Sequence, residues 1–140
     1  MSTRILIIDD EPDVVTYLVT VLKANGYTPL STTDPNQGLK IAAAMKPDLI
    51  CLDIMMPEKS GISIYTALKK DRSLREIPVL IISGVSQQGE FDFRSYVSDV
   101  SVPPPEGYLE KPIAIDQYLK FIRDLTALNR SHERRKATDA

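Results

Sequence analysis

Four places in this 140-residue chain put a chemically active side chain at the end of a strand-like run: Asp9-Asp10 after RILII, Asp53 after LICL, Ser83 after VLII and Lys111 after GYLE. Brought together, they would form a group of three carboxylates, a small hydroxyl and an ammonium. Two like charges about 4 Å apart repel by roughly 4 kcal/mol at an effective dielectric of about 20, so such a group needs a cation or shifted pKa values. A hard divalent ion with oxygen ligands answers that need. Magnesium fits, because it accepts one or two carboxylates and keeps waters and phosphate oxygens as its other ligands. Each residue alone has a plainer use. Asp9 or Asp10 can cap a helix ahead of Pro12, Asp53 and the Ser83-Gly84 pair can be turn residues, and Lys111 can be a solvated surface lysine. Their joint placement points to a site.

The elements that would carry these residues alternate along the chain. RILIID reads as a strand, and Val14, Leu18, Val21 and Leu22 then share a helical face that stops at Asn25-Gly26. YTPLST is a weaker strand, demoted to an edge by Pro29. Asp34-Pro35 opens a second helix, as cap and first-turn proline, that runs to Met45. DLICLD is a third strand, and a helical stripe of Ile62, Tyr65, Leu68 and Lys69 follows it between Gly61 and Lys70. IPVLIIS is a fourth, wholly apolar strand and GYLE a fifth, before Ile115, Leu119, Ile122 and Leu125 mark a closing helix. Unbroken apolar strands separated by helices imply an α/β fold: a doubly wound five-stranded parallel sheet with helices on both faces, joined by right-handed crossovers. In such a three-layer sandwich ligands bind outside the carboxyl ends of the strands. All four chemical positions fall on that rim.

Composition narrows the function. One domain with one core suits this length, and a formal net charge of -2 lacks the basic footprint of a nucleic-acid binder. The single cysteine, Cys51, lies inside an apolar run and cannot form an internal disulfide, which fits a reducing compartment. No signal-peptide pattern and no membrane-spanning apolar stretch are present, so the expected location is cytoplasmic.

The segments IIDDEP, CLDIMMPEKSG, IISG and YLEKP, in this order, resemble the receiver domain of response regulators in two-component signalling. The resemblance covers about residues 4 to 128, which sets a receiver domain over 1–128 and a polar tail or linker over 129–140. It implies the flavodoxin-like strand order 2-1-3-4-5. It also implies that Asp53 is the phosphoacceptor, that Asp9, Asp10, Asp53 and the Met55 backbone carbonyl hold Mg2+, that Ser83 receives the phosphoryl group, and that Lys111 pairs with it. Tyr108 is then a switch residue that follows Ser83, and the Lys111-Pro112 bond is cis. The implied partners are a sensor histidine kinase or phosphotransfer protein and a downstream protein, with no nucleic acid and no membrane; a homodimer stays open. Such a domain catalyses its own magnesium-dependent phosphoryl transfer without being a turnover enzyme.

Residues 84–107 depart from the family pattern. They form a long connection in which Phe93, Tyr96, Val97 and Val100 could line a short or displaced fourth helix, while SVPPP favours an extended polyproline piece. The tail holds a small basic cluster, Arg130, Arg134, Arg135 and Lys136, and reads as a solvated terminus or linker. Met55 and Val85 flank the site without a carboxylate or amide to orient an attacking water, so slow hydrolysis of an acyl phosphate is expected. Two other readings are weighed. A phosphohydrolase of the haloacid dehalogenase type wants an aspartate where Met55 stands. A receiver-fold binding module not regulated by phosphorylation would have no need of the intact acidic pair, Asp53, hydroxyl and lysine.

Overall fold

The computed structural model describes residues 3–54, 60–84 and 97–138. Strand β1 (Arg4–Ile8) leads into helix α1 (Pro12–Ala24), followed by β2 (Thr28–Thr32), α2 (Pro35–Met45), β3 (Leu49–Asp53), α3 (Ser60–Lys70), β4 (Val79–Ser83), β5 (Gly107–Glu110) and α4 (Ile115–Thr138). The five strands form one parallel sheet in the order β2-β1-β3-β4-β5. Pro29 does lie on an edge strand, β2, whose residues are half-buried or exposed.

Strand alternation sorts the apolar residues into two layers. Leu6, Ile8, Ile50, Leu52, Val79 and Ile81 pack with Ala42, Tyr65 and Leu68 of α2 and α3. Ile5, Ile7, Leu49, Cys51, Leu80, Ile82 and Leu109 pack on the other face with Leu18, Leu22, Tyr118 and Ile122 of α1 and α4. Every residue of β3 and β4 is buried. Fully burying one such aliphatic side chain contributes about 1.5–3 kcal/mol, so these two strands are the most firmly held mounts in the sheet.

The expected start of α2 is present: the Asp34 side chain accepts a hydrogen bond from the Asn36 N–H at 2.9 Å, and Pro35 follows it. Gly61 opens α3 against the end of β3. A Cβ there would meet the Ile54 Cα and the Asp53 carbonyl oxygen, so only glycine lets the helix approach the strand this closely.

The closing helix marked by Ile115, Leu119, Ile122 and Leu125 runs on into the polar tail as far as Thr138, a stretch with three arginines that propagates a helix once a packed segment has nucleated it. Of the stripe Phe93, Tyr96, Val97 and Val100, Phe93 and Tyr96 lie outside the described residues, Val97 is buried and Val100 stands 86% exposed. From Val97 to Glu106 the chain is neither helix nor strand, with a turn at Asp99–Val102. Val102 is fully buried against the α3 face.

Candidate functional site

Register and alternation together build the site. Ile8 pairs with Leu52, Asp53 with Ile82, and Ser83 with Glu110. Asp9 continues the row of Ile5 and Ile7, Asp53 the row of Leu49 and Cys51, and Lys111 the row of Leu109, all on the α1/α4 face. These three side chains meet at the carboxyl rim. Lys111 Nζ is 3.3 Å from Asp53 Oδ2 and 3.2 Å from Asp9 Oδ2. Ser83 and Tyr108 fall in the opposite rows. Ser83 follows Val79 and Ile81 and is fully buried, while Tyr108 packs, partly buried, against the α2/α3 cluster. The Lys111 N–H donates to the Ser83 carbonyl at 2.9 Å, which extends the β4-β5 ladder by one step and fixes where the lysine leaves the sheet. The Lys111-Pro112 bond is cis, the isomer the resemblance implies.

Burial sets the electrostatics. Asp53 is 2% exposed and Asp9 1%. Burial, with a further contribution from the Asp53 charge, pushes the Asp9 carboxyl up to about 6, although the Glu11 N–H donates to its Oδ1 at 3.0 Å and Lys111 stands nearby. For Lys111, burial alone would lower the ammonium's pKa. The hydrogen bond to Glu11 and the charges of Asp53 and Asp9 outweigh it and hold the group above its ordinary value. The lysine is therefore a fixed positive charge at the bottom of an acidic cup.

Glu11 is the residue that sequence reasoning missed. It sits at the cap position of α1, yet its side chain makes no capping hydrogen bond. Instead its Oε1 accepts from Lys111 Nζ at 2.7 Å, the shortest contact the ammonium makes. Its place after the acidic pair was the available signal. Its partner lies 100 residues away, which no local pattern reports.

Carboxylate oxygens of Asp9, Asp10, Glu11 and Asp53 all lie within 4.8 Å of one another. Among the described residues, Asp9 Oδ2 is a buried carboxylate oxygen with no hydrogen-bond donor. Lys111 Nζ forms an ion pair with it at 3.2 Å. An all-oxygen set of four carboxylates facing one ammonium fits a hard divalent cation. The expected contribution of the Met55 carbonyl, and the flanking positions Met55 and Val85, lie outside the described residues.

A family model described as "Response regulator receiver domain" matches residues 5–123. Among similar proteins, the polar-differentiation response regulator DivK of Brucella ovis is 28% identical over 123 residues, 88% of this chain and 95% of its own length. Among solved structures, a CheY-like response regulator receiver domain protein from Methanospirillum hungatei superposes with a TM-score of 0.79 at 19% identity, covering 94% of this chain and 99% of its own. A sensor protein from Polaromonas sp. JS666 gives 0.78 at 24% identity, covering 91% and 98%. At these identities the two structures speak for the fold alone.

Proposed function

The chain belongs to the response regulator receiver domain family of two-component signalling, and on that premise we propose that Asp53 accepts a phosphoryl group and thereby changes which proteins the domain binds. The observation that carries this reading is the buried Asp53 carboxylate at the end of the central strand β3, held 3.3 Å from the Lys111 ammonium beside a second buried carboxylate, Asp9, that shares the same ammonium.

The donor is a phosphohistidine on a sensor histidine kinase or phosphotransfer protein. An oxygen of Asp53 bonds to phosphorus as the P–N bond breaks; the bonding pair stays on the imidazole nitrogen, and because the donor's other ring nitrogen carries a proton, the ring leaves as neutral imidazole. Phosphoryl transfer asks a protein mainly for in-line positioning and for positive charge around the equatorial oxygens. Lys111 supplies part of that charge and needs no proton transfer to do so. Asp9, Asp10 and Asp53, with the Met55 carbonyl, would hold magnesium, which would supply the rest of that charge. The product is a mixed anhydride, stable enough to be a signal and not a step in turnover.

The new group brings negative charge and three acceptor oxygens to the rim. Ser83 stands one residue beyond the Asp53–Ile82 pair on the neighbouring strand and is small enough to turn to them. Tyr108 lies on the same face of the sheet as Ser83, towards the 97–106 segment. Phosphorylation then biases a pre-existing equilibrium of Ser83 and Tyr108, read on that face by a downstream protein. The receiver unit spans residues 1–128, with 129–140 a polar tail or linker. No helix of the described residues is long and apolar enough to cross a membrane.

Intact-mass measurement tests the reading. Acetyl phosphate or a phosphorylated histidine kinase, with magnesium, adds one phosphoryl group to the wild-type protein, and neither Asp53→Asn nor chelator-treated protein gains it. A mass unchanged in every condition would leave a binding module that does not use phosphate.

A further inference from the structure

Resting on that reading, we infer that Glu11 is a positioning residue that holds Lys111 back from Asp53 until a phosphoryl group arrives.

An ammonium has three donors. Here the closest partner is not the phosphoacceptor. Nζ lies 2.7 Å from Glu11 Oε1 and 3.3 Å from Asp53 Oδ2, with Asp9 Oδ2 at 3.2 Å. The two more distant carboxylates have side chains only 2% exposed, whereas that of Glu11 is 59% exposed at the mouth. The shortest contact therefore draws the charge outward, against the pull of two buried anions. Glu11 also stands where a helix cap is expected, ahead of Pro12, and leaves that task undone. Its carboxylate is committed to the lysine and not to the end of α1.

The consequence is a competition. Once Asp53 carries a phosphoryl group, the incoming oxygens are better acceptors than a solvated carboxylate, because charge-assisted hydrogen bonds strengthen out of water. Lys111 then leaves Glu11 for the phosphoryl oxygens, and Glu11 returns to solvent at little cost. Every bound state that needs Lys111 is weakened by the value of the Glu11 contact. Exposed pairs of this kind are weak, so the penalty is on the order of two- to fivefold in affinity.

Two measurements on the full chain test the inference. In the metal-free protein, labelling of Lys111 by an amine-acylating reagent, read residue by residue by mass spectrometry, rises severalfold in Glu11→Gln, because the amine is no longer masked. This reading does not require phosphorylation. In the second, beryllofluoride is titrated at saturating magnesium by calorimetry, and Glu11→Gln binds it about two- to fivefold more tightly than wild type. Asp13→Asn removes the same charge from an exposed position on the first turn of α1 and leaves both readouts at wild-type values. Restoring the charge at closer reach, Glu11→Asp falls between Gln and wild type. Unchanged Lys111 labelling in Glu11→Gln overturns the inference, as does an equal gain in Asp13→Asn, which would mean that Glu11 contributes only negative potential. Weaker magnesium binding with unchanged labelling would assign Glu11 to the metal instead. A wild-type protein that binds no beryllofluoride while its Lys111 labelling still responds to Glu11→Gln would sink the phosphoacceptor reading and the hand-over to the phosphoryl group, but leave the Glu11–Lys111 hold standing.

Discussion

Asp9 carries an electrostatic cost that its neighbours only partly offset. Burial raises its carboxyl from 3.8 to about 6. Between about pH 4 and 6 the folded protein thus keeps a proton that the unfolded chain has already lost. Stability of the metal-free protein falls as pH rises across that window, and the loss is complete above it. At about 1.4 kcal/mol per pH unit the full effect is on the order of 3 kcal/mol. Asp99, lowered to about 2 by the hydrogen bonds it accepts from Ser101, acts in the opposite sense but only below about pH 4. Denaturant unfolding in chelator should accordingly show a lower midpoint at pH 7 than at pH 5. Asp9→Asn should flatten that difference, and an equally steep dependence in the variant would show that the strain lies elsewhere. On the proposed reading, such a cost persists because a divalent cation bound at the acidic cluster would offset it. Asp9, Asp53 and Lys111 were legible in the sequence because each closes a strand on the same rim. Glu11 was not, because its role is set by a contact with a residue far along the chain.

At the scale of elements, the 97–106 segment ahead of β5 is bound to α3 by groups the sequence placed on an apolar stripe. Lys69 follows Ile62, Tyr65 and Leu68 on that stripe. In the structure its side chain is 1% exposed. Nζ donates to the Arg75 and Ile77 carbonyls at 3.3 and 3.2 Å and to Glu106 Oε1 at 2.8 Å. Glu106 Oε2 accepts from the Val79 N–H at 2.7 Å, and the Tyr65 hydroxyl donates to the Pro103 carbonyl at 2.6 Å. This cluster ties the end of α3, the start of β4 and the approach to β5 at the end of the sheet opposite the rim. Lys69→Met removes the donor from two carbonyls and from a partly buried carboxylate, a loss of about 3–5 kcal/mol. Glu106→Gln, which keeps an acceptor for Val79, should cost less. Chemical denaturation of both variants checks the order, and a Lys69→Met protein as stable as wild type would reduce the cluster to surface decoration. The alternation of strands and helices was readable because apolar runs and caps are local signals. Lys69–Glu106 spans 37 residues, and the length of α4 depends on propagation from a packed start. Neither leaves a local mark.

For the whole molecule, the site is a sum of distant pieces: residues 9, 53, 83 and 111 come from four strand ends and lie side by side only when β1, β3, β4 and β5 are all paired. A ligand that needs all four therefore binds the folded chain and not the unfolded one, and its binding energy appears as global stability. On the proposed reading magnesium alone would engage the carboxylates, so it should raise the melting temperature and remove most of the pH 5 to 7 difference expected in chelator. Adding beryllofluoride at about a hundredfold excess over its dissociation constant contributes roughly 2.7 kcal/mol more, or on the order of 8 °C for a chain of this size. That second increment depends on Asp53 and Lys111 acting together, because the anion bonds to one and is neutralised by the other. Scanning calorimetry of Asp53→Asn and Lys111→Met with magnesium, with and without beryllofluoride, separates the two steps: both variants should lose the second increment. An undiminished increment in Asp53→Asn would place the anion somewhere other than the rim.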